Sequence, residues 1–380
     1  MKSISIVLPA LNEEGVVGET VNSIPKNELE KMGLEVEIIV VDNNSEDNTA
    51  EEAKKAGARV LFEQKKGYGN AYVKGFNESS GDIIVMADSD GTYPLTIIPQ
   101  FIQPILSDEA DFVIGSRLKG KIHGGAMPWH HQYLGNPLLT GILNLMFKAK
   151  ISDAHCGMRA FSRKALEKLR LRTTGMEFAS EMVIDIARSG LRIKEIPIEY
   201  FPRGGKAKLN SFTDGWRHLR FMMLYNPTFL FIIPGSILFL LGLLLVLLLM
   251  GGPIPLIGNM GLDIHPMILG NFLVILGFQI LVFGLFAHMY AVVHGITEPD
   301  GFSNFFLKYN NLEIELLVGI LLFLLGFLID LRIVYYWFES GFGELGELRN
   351  AILSSTIMFI GIQLIFSSLF LSVLLLDKGD

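Results

Sequence analysis

Two aspartates, Asp88 and Asp90, stand one residue apart in the stretch VMADSDGTYP, directly after the apolar run Ile83, Ile84, Val85, Met86. In an extended chain residues i and i+2 point to the same side, so both carboxylates project together from the end of a strand. Two close carboxylates repel each other and titrate as a coupled pair unless a positive charge lies between them. A divalent cation supplies that charge. Hard oxygen ligands favour Mg2+ or Mn2+, which keep positions open for substrate phosphates. The competing reading is a solvated Asp-x-Asp-Gly turn closed by Gly91 and Pro94.

Other polar residues also follow apolar runs. Pro9-Ala10-Leu11-Asn12-Glu13-Glu14 follows the first, Asp42 the second, and Arg117 ends ADFVIGSR. An acid at Asp42 is placed to accept from a base or ribose. Lys66-Gly67-Tyr68-Gly69-Asn70-Ala71 precedes a helical run. Backbone N–H groups at a helix start, with Lys66 beside them, offer an anion site, although the third glycine of a dinucleotide fingerprint is missing. His123, His130, His131 and His155 follow no metal-ligand spacing and read as loop packing or headgroup contacts. The single cysteine, Cys156, excludes an intrachain disulfide and a multi-cysteine metal site; it reads as a small buried thiol.

The elements that must position these residues alternate. SISIVLPA, EVEIIVVD, ARVLFE, DIIVMADSD and ADFVIGSR are strand-like, and helical runs separate most of them, with Ser45, Asp47 and Asn48 as candidate N-caps of one. Strand, helix, strand at this spacing predicts a mostly parallel α/β sheet. Ligands of such sheets bind at the carboxyl ends of the strands, where Asp42, Asp88 and Arg117 all fall. The opening SISIVLPAL followed by Asn-Glu-Glu reads as a strand and a polar loop rather than a secretory signal.

Half of the 380 residues are hydrophobic, and the mean hydropathy is +0.40. That excess is uneven. Residues 1–226 hold 28 basic and 28 acidic side chains, while 227–380 hold four Lys or Arg and eleven Asp or Glu. Four apolar runs in the second part, about 228–250, 267–293, 314–337 and 351–376, are long enough to cross a bilayer, which takes about 20 residues. Arg203, Lys206, Lys208, Arg217 and Arg220 crowd the approach to the first run, and the loop at 251–266 has no Lys or Arg. The positive-inside rule then puts the first domain and both termini in the cytoplasm. Residues 136–150 and 213–227 have apolar positions at helical spacing beside basic or aromatic residues, so both are candidate interfacial helices. The first is equally an ordinary core-facing helix. Asp330 and Arg332 fall near the far end of the third run, where snorkelling or pairing is expected.

The motifs IVLPALNEE, IIVVDNNSEDNT, KKGYGNA, MADSDGTYP, VIGSR and DAHCGMRAF, in this order, resemble family 2 glycosyltransferases of the GT-A, Rossmann-like fold. GGAMPWHHQYLGNP, TTGMEFASEMVIDIA and GWRHLRFMMLYNP are similar to segments of the polyprenyl- and dolichyl-phosphate sugar synthases. The resemblance covers about the first 230 residues; the tail matches in kind, as four spans. It implies inverting, non-processive transfer of a sugar from a nucleotide-sugar to a polyprenyl (dolichyl) phosphate at a bilayer, with Mg2+ or Mn2+. Pro9, Ala10, Asn12, Glu14, Asp42, Lys66, Gly67, Asn70, Asp88, Ser89 and Asp90 would hold the donor. Asp88 and Asp90 would hold the metal, with Thr92 standing where related synthases often carry Gln; a hydroxyl is the poorer ligand, and water is the alternative. Arg117, Arg203, Lys206 and Lys208 would grip the acceptor phosphate. Asp90, Arg117 and Asp153 are the catalytic candidates, Asp153 as base or positioner, with Glu177 and Glu181 behind it. The structural alternative for Asp153 is an anchor for Arg159 or a loop.

DSDGTYP and HCGMRAF look closer to the members using UDP-sugars, which points to UDP-glucose or UDP-N-acetylglucosamine. Alternatives are a GDP-mannose-dependent synthase, transfer to another membrane lipid, and a catalytically silent scaffold or flippase. Trp216-Arg217 reverses the order of the Q-x-x-R-W signature of processive synthases, which argues against processivity. No nucleic-acid partner is expected; a homo-oligomer is compatible with the sequence.

Overall fold

The computed structural model describes residues 2–204, 211–255, 261–294, 297, 299–307, 309–343 and 346–376. Lys206 and Lys208 lie outside these residues. The chain forms two compact units that divide after Met222.

A seven-stranded sheet organises the first unit: β1 (Lys2–Ala10), β2 (Leu34–Asp42), β3 (Arg59–Phe62), β4 (Ile83–Met86), β5 (Phe112–Ile122), β6 (Arg159–Ser162) and β7 (Ile193–Tyr200). Their spatial order is β3-β2-β1-β4-β6-β5-β7. β1 and β2 pair in parallel from Lys2 opposite Leu34 to Ala10 opposite Asp42, which brings both polar ends level. β4 is apolar and buried at every position, the pattern of a strand covered on both faces. Strand order reverses between β1 and β4, the switch point where open α/β sheets bind ligands. Pro9 and Ala10 close one of these strands, and Asp88 to Asp90 follow the other. The Ser89 hydroxyl donates to the Pro9 carbonyl at 2.7 Å and joins the two ends.

The five strand-like runs are strands, so the mostly parallel α/β reading holds. Two strands escaped it. β6 is four residues long and antiparallel to β4 and β5, too short for its period to be read. β7 is an edge strand interrupted by Pro197, a residue tolerated there because an edge leaves N–H groups unpaired.

The helices of this unit are α1 (Val17–Asn22), α2 (Lys26–Lys31), α3 (Thr49–Lys55), α4 (Tyr68–Glu78), α5 (Ile98–Leu106), α6 (Asn136–Phe147), α7 (Arg163–Leu166) and α8 (Phe178–Arg188); α9 (Ser211–Tyr225) begins in it and runs past Met222. α4 lies close on the sheet because Gly75 has no side chain. A Cβ there would stand 2.3 Å from Val7 Cγ1 and 3.0 Å from Val41 Cγ2. This approach sets the height of Tyr68 and Tyr72.

The second unit contains α10 (Ile233–Met250), α11 (Ile264–Val293), α12 (Gly301–Phe306), α13 (Tyr309–Glu339) and α14 (Leu348–Leu376). Four helical stretches are long and apolar enough to cross a membrane: Thr228–Met250, Ile264–Val293, Leu312–Glu339 and Leu348–Leu375. Hydrocarbon gives no hydrophobic drive between helices, so small residues and hydrogen bonds hold them. At α10 and α11, a Cβ on Gly242 would lie 2.5 Å from the Gly270 carbonyl. At α13 and α14, a Cβ on Gly319 would lie 2.9 Å from the Gly361 carbonyl. The α11–α14 contact is polar: Thr356 donates to Asn271 at 2.5 Å, and Gln363 donates to Gln279. Asp330 accepts from Ser354, and Arg332 reaches the Tyr336 hydroxyl at 3.2 Å.

Gly75→Val would force branched carbons into Val7 and Val41, an overpacking that costs about 1–3 kcal/mol. The full-length variant in detergent is expected to melt at a lower temperature than the parent. An unchanged melting temperature would mean that α4 does not depend on this contact.

Candidate active site

The two carboxylates after β4 sit in different surroundings. Asp88 lies deep below the domain surface and keeps a strip of solvent contact. Its Oδ1 accepts from the hydroxyl of Tyr68 at 2.9 Å and from that of Tyr72 at 3.4 Å. Behind them Tyr72 stacks on Phe178, 5.7 Å between centroids. Oδ2 faces Gly157, where a Cβ would stand 3.0 Å away. Burial, and then the charge of Asp90, pushes the Asp88 carboxyl up to about 6, against the pull of Tyr68, Arg203 and Arg117.

Asp90 is buried. Its Oδ1 accepts from the Thr92 N–H at 3.1 Å and the Thr92 hydroxyl at 2.6 Å. Its Oδ2 lies 3.5 Å from Nε of Arg203, whose Nη2 reaches Glu13 at 2.5 Å. The segment after β7 carries Arg203 into place, tied down by Phe201 N–H to Thr92 O at 3.0 Å. Thr92 therefore orients Asp90, and Arg203 is a cation facing it.

Arg117 and Asp153 form a buried pair. Arg117 Nε donates to Asp153 Oδ2 at 2.7 Å, Nη2 to Oδ1 at 2.8 Å, and the Arg117 backbone N–H to Oδ2 at 3.1 Å. Arg117 also lies over the Tyr200 ring, 5.2 Å from its centroid. Asp153 is fully buried, and although burial alone would raise its pKa, Arg117 holds it below the usual carboxylate range. Asp153 does not anchor Arg159, contrary to expectation. Arg159, fully buried, donates instead to the carbonyls of Cys156 at 2.9 Å and of Ala154 and Ala179 at 3.0 Å. Asp153 is spent on Arg117, whose guanidinium and backbone N–H both donate to its carboxylate. Cys156 is buried, its thiol pushed up to about 12 by burial.

The donor-side candidates form a separate edge at the ends of β1 and β2. Asn12 holds a left-handed backbone, φ 51°; its N–H donates to Ser45 Oγ at 3.0 Å, and its Oδ1 accepts from Glu46 N–H at 2.8 Å. Glu14 accepts from Asn48 N–H at 3.0 Å. Asp42, opposite Ala10 in the sheet, accepts from Ser45 N–H at 3.1 Å.

The glycine loop differs from its sequence reading. Gly67 N–H donates to Asn43 Oδ1 at 2.7 Å, and Gly69 N–H and Asn70 N–H donate to the Thr174 carbonyl at 3.0 and 3.4 Å. These groups are taken, so they form no anion cradle. The glycines serve close packing instead: a Cβ on Gly69 would stand 2.2 Å from the Thr173 carbonyl. The Asn70 side chain bonds the Lys65 and Lys66 carbonyls, and Lys66 pairs with Glu46 at 3.2 Å on the surface. Glu181 secures the opposing segment, accepting from the N–H groups of Arg172 at 3.0 Å and Thr173 at 2.9 Å.

The sequence alone singles out neither Tyr72, Asn43 nor Gly157, and it offers Glu13 and Tyr68 only as members of longer runs. Nothing local says which atom a tyrosine at a helix start will meet. The expected histidines are dispersed. His123 pairs with Glu199 at 2.8 Å, and His155 shares Ser180 with His218. Among the described residues no three His, Cys, Asp or Glu side chains group as metal ligands. Two carboxylates, one with Oδ2 left toward a glycine, fit a cation that also takes substrate phosphate oxygens.

Residues 5–170 match the model of the glycosyl transferase family 2 domain, and residues 285–375 match that of the family 2 C-terminal transmembrane region. The low-salt glycan biosynthesis hexosyltransferase Agl6 of Haloferax volcanii is 40% identical over 98% of this chain and 89% of its own length. A UDP-N-acetylglucosamine–dolichyl-phosphate N-acetylglucosaminyltransferase of Methanococcus voltae is 33% identical over 52% of this chain and 85% of its own. Among solved structures, glucosyl-3-phosphoglycerate synthase of Mycobacterium tuberculosis, with Mn2+ and UDP, aligns over 58% of this chain and 79% of its own, at 26% identity and a TM-score of 0.48.

Removing one partner of a buried ion pair strands the other charge at a cost of about 3–5 kcal/mol. Asp153→Ala should lose that much stability, and adding Arg117→Met should restore part of it; simple additivity in the double variant would refute the pairing. Because Arg117 depresses the folded-state pKa of Asp153, this stability is present above about pH 3.9 and is lost as pH falls through the lower folded value. Asp88 has the opposite sign. Its raised pKa gives a contribution complete below the unfolded value and lost as pH rises through about 6.

Proposed function

Because this chain belongs to glycosyltransferase family 2 and carries that family's C-terminal transmembrane region, we propose that it transfers one hexose from a nucleotide-sugar to a polyprenyl phosphate of the dolichyl type. The donor is UDP-glucose or UDP-N-acetylglucosamine, and the anomeric configuration inverts. One observation carries the reading. Two oxygen-donor carboxylates meet at the sheet's switch point, with Arg117 and Arg203 among the charges acting on Asp88, on a chain 40% identical over nearly its whole length to a hexosyltransferase. The relative that acts on dolichyl phosphate with a UDP-sugar supports the acceptor and donor classes.

The chemistry asks for charge control. In the transfer the bond from sugar C1 to the donor diphosphate breaks, and an acceptor phosphate oxygen bonds C1 from the opposite face. The acceptor is a phosphate monoester with a second pKa of about 6, already mostly a dianion at neutral pH, so it needs no strong base. Asp153 is accordingly assigned as a positioning residue. It consumes Nε and Nη2 of Arg117, which fixes the guanidinium and leaves Nη1 for the acceptor phosphate. Asp88 and Asp90 would hold a Mg2+ or Mn2+ ion, which neutralises charge on the departing diphosphate. Thr92 keeps Asp90 oriented, and Arg203 offers positive charge on the same side. Asp42, Asn12 and Glu14 line the nucleoside end. By the positive-inside argument the catalytic unit faces the cytoplasm.

Sugar transfer should be read from a panel of labelled UDP- and GDP-sugars to a polyprenyl phosphate in detergent, with Mn2+ or Mg2+ and then EDTA. One lipid-linked monosaccharide is expected, with EDTA or Asp90→Ala lowering its rate by at least about 100-fold. Nucleotide binding without any lipid product would overturn the acceptor assignment. Mn2+ binding, followed by electron paramagnetic resonance, should weaken as pH falls through about 6, where Asp88 takes up its proton. Tyr68→Phe removes a donor from that carboxylate and should move this midpoint upward by about one pH unit. A midpoint unchanged in the variant would remove Tyr68 from the site.

A further inference from the structure

A second cluster of charge lies at the other end of the sheet from Asp42. Lys119, Lys148, Lys150 and Lys194 line a groove of about 500 Å3 with Glu195 as the one acidic lining residue. β5 supplies Lys119, the turn after α6 supplies Lys148 and Lys150, and the edge strand β7 supplies Lys194 and Glu195. Lys119 pairs with Glu195 and Lys194 with Glu109, both at 2.7 Å. Among the described residues Lys148 and Lys150 pair with no carboxylate.

The turn that carries these two lysines is built. Both have left-handed backbone, φ 56°, a conformation uncommon outside glycine. Buried Ala149 and Ile151 anchor the chain beside them. The Asn144 side chain clamps the turn, donating to the Ile151 carbonyl at 2.7 Å and accepting from the Ile151 N–H at 3.1 Å. Two unneutralised ammonium groups thus leave a rigid support on the same side as two further lysines. Like charges gathered along one groove favour a polyvalent anion between them.

What leads up to the turn bears on the source of that anion. α6 buries Thr140, Leu143 and Met146. Its other side, with the turn before it, exposes Leu134, Leu138 and Leu145, spaced at helical intervals, and Trp129 and Tyr133 are exposed nearby. Exposed leucine and aromatic side chains that run into lysines match the profile of a bilayer interface, where apolar groups enter the acyl boundary and cations stay among headgroups.

We infer that the groove of Lys119, Lys148, Lys150 and Lys194 is a phosphate-binding site, distinct from the Asp88–Asp90 site, that takes the phosphate of a lipid headgroup. Free phosphate shares the same chemistry.

Lysine acylation in the full-length protein, quantified residue by residue by mass spectrometry, distinguishes the outcomes. Three conditions are compared: phosphatidylcholine nanodiscs, nanodiscs that also contain phosphatidylglycerol, and phosphatidylcholine nanodiscs with added inorganic phosphate. With phosphatidylglycerol, Lys119, Lys148 and Lys150 are expected to react about fivefold more slowly, while Lys31 and Lys54 keep their rates. The same protection by inorganic phosphate alone would keep the site and assign it to the free anion. In Lys148→Gln/Lys150→Gln the protection of Lys119 should vanish. Equal rates in all three conditions, or Lys31 and Lys54 slowing in parallel, would overturn the proposal.

Discussion

The repulsion between Asp88 and Asp90 is the constraint around which the catalytic unit is arranged. Two carboxylates in a poorly solvated cleft do not stay ionised unaided. The protein opposes the penalty with neutral donors and two arginines: tyrosine hydroxyls on Asp88, the Thr92 amide and hydroxyl on Asp90, Arg203 opposite, and the charge of Arg117 acting on Asp88. These donors come from α4, from the loop after β4 and from the chain beyond β7, so the carboxylates can be poised only when most of the sheet has assembled. The balance remains incomplete, since Asp88 still sits above the ordinary carboxylate range. A site left short of positive charge is suited to a ligand that brings some.

The buried arginines show how differently one unit can use the same side chain. Arg117 has a carboxylate partner in bidentate contact, and Arg159 donates to backbone carbonyls. A buried ion pair recovers its desolvation cost only with good geometry, so the Arg117–Asp153 pair is better understood as a device for direction than for stability. Arg159 clamps the 154–156 loop to α8, and that loop places Gly157 against Asp88. One arginine aims a charge, and the other aims a backbone.

The membrane unit obeys a different solvent. Its contacts alternate between glycine, where backbones approach closely, and paired polar side chains, where an unpaired group in hydrocarbon would cost several kcal/mol. Asn271 and Gln279 are each answered by a residue of α14.

Much was legible in the sequence because it depends on local pattern. Alternation of strand and helix marked the parallel sheet, the charge-poor runs marked four spans, and the apolar run Ile83 to Met86 marked Asp88 and Asp90 as carboxylates just past a strand end. Those signals rest on short-range geometry and on solvent partition, which neighbouring residues alone decide. The antiparallel β6, the partner of Asp153, the tyrosines on Asp88 and the use of the glycine loop were settled only by tertiary structure. Each joins segments far apart in the chain, as Tyr68 meets Asp88 and Gly69 meets Thr174. A motif states which chemical groups a chain owns. Which of them finds a partner is decided by packing, because a buried donor or acceptor takes whatever complement the fold brings within reach.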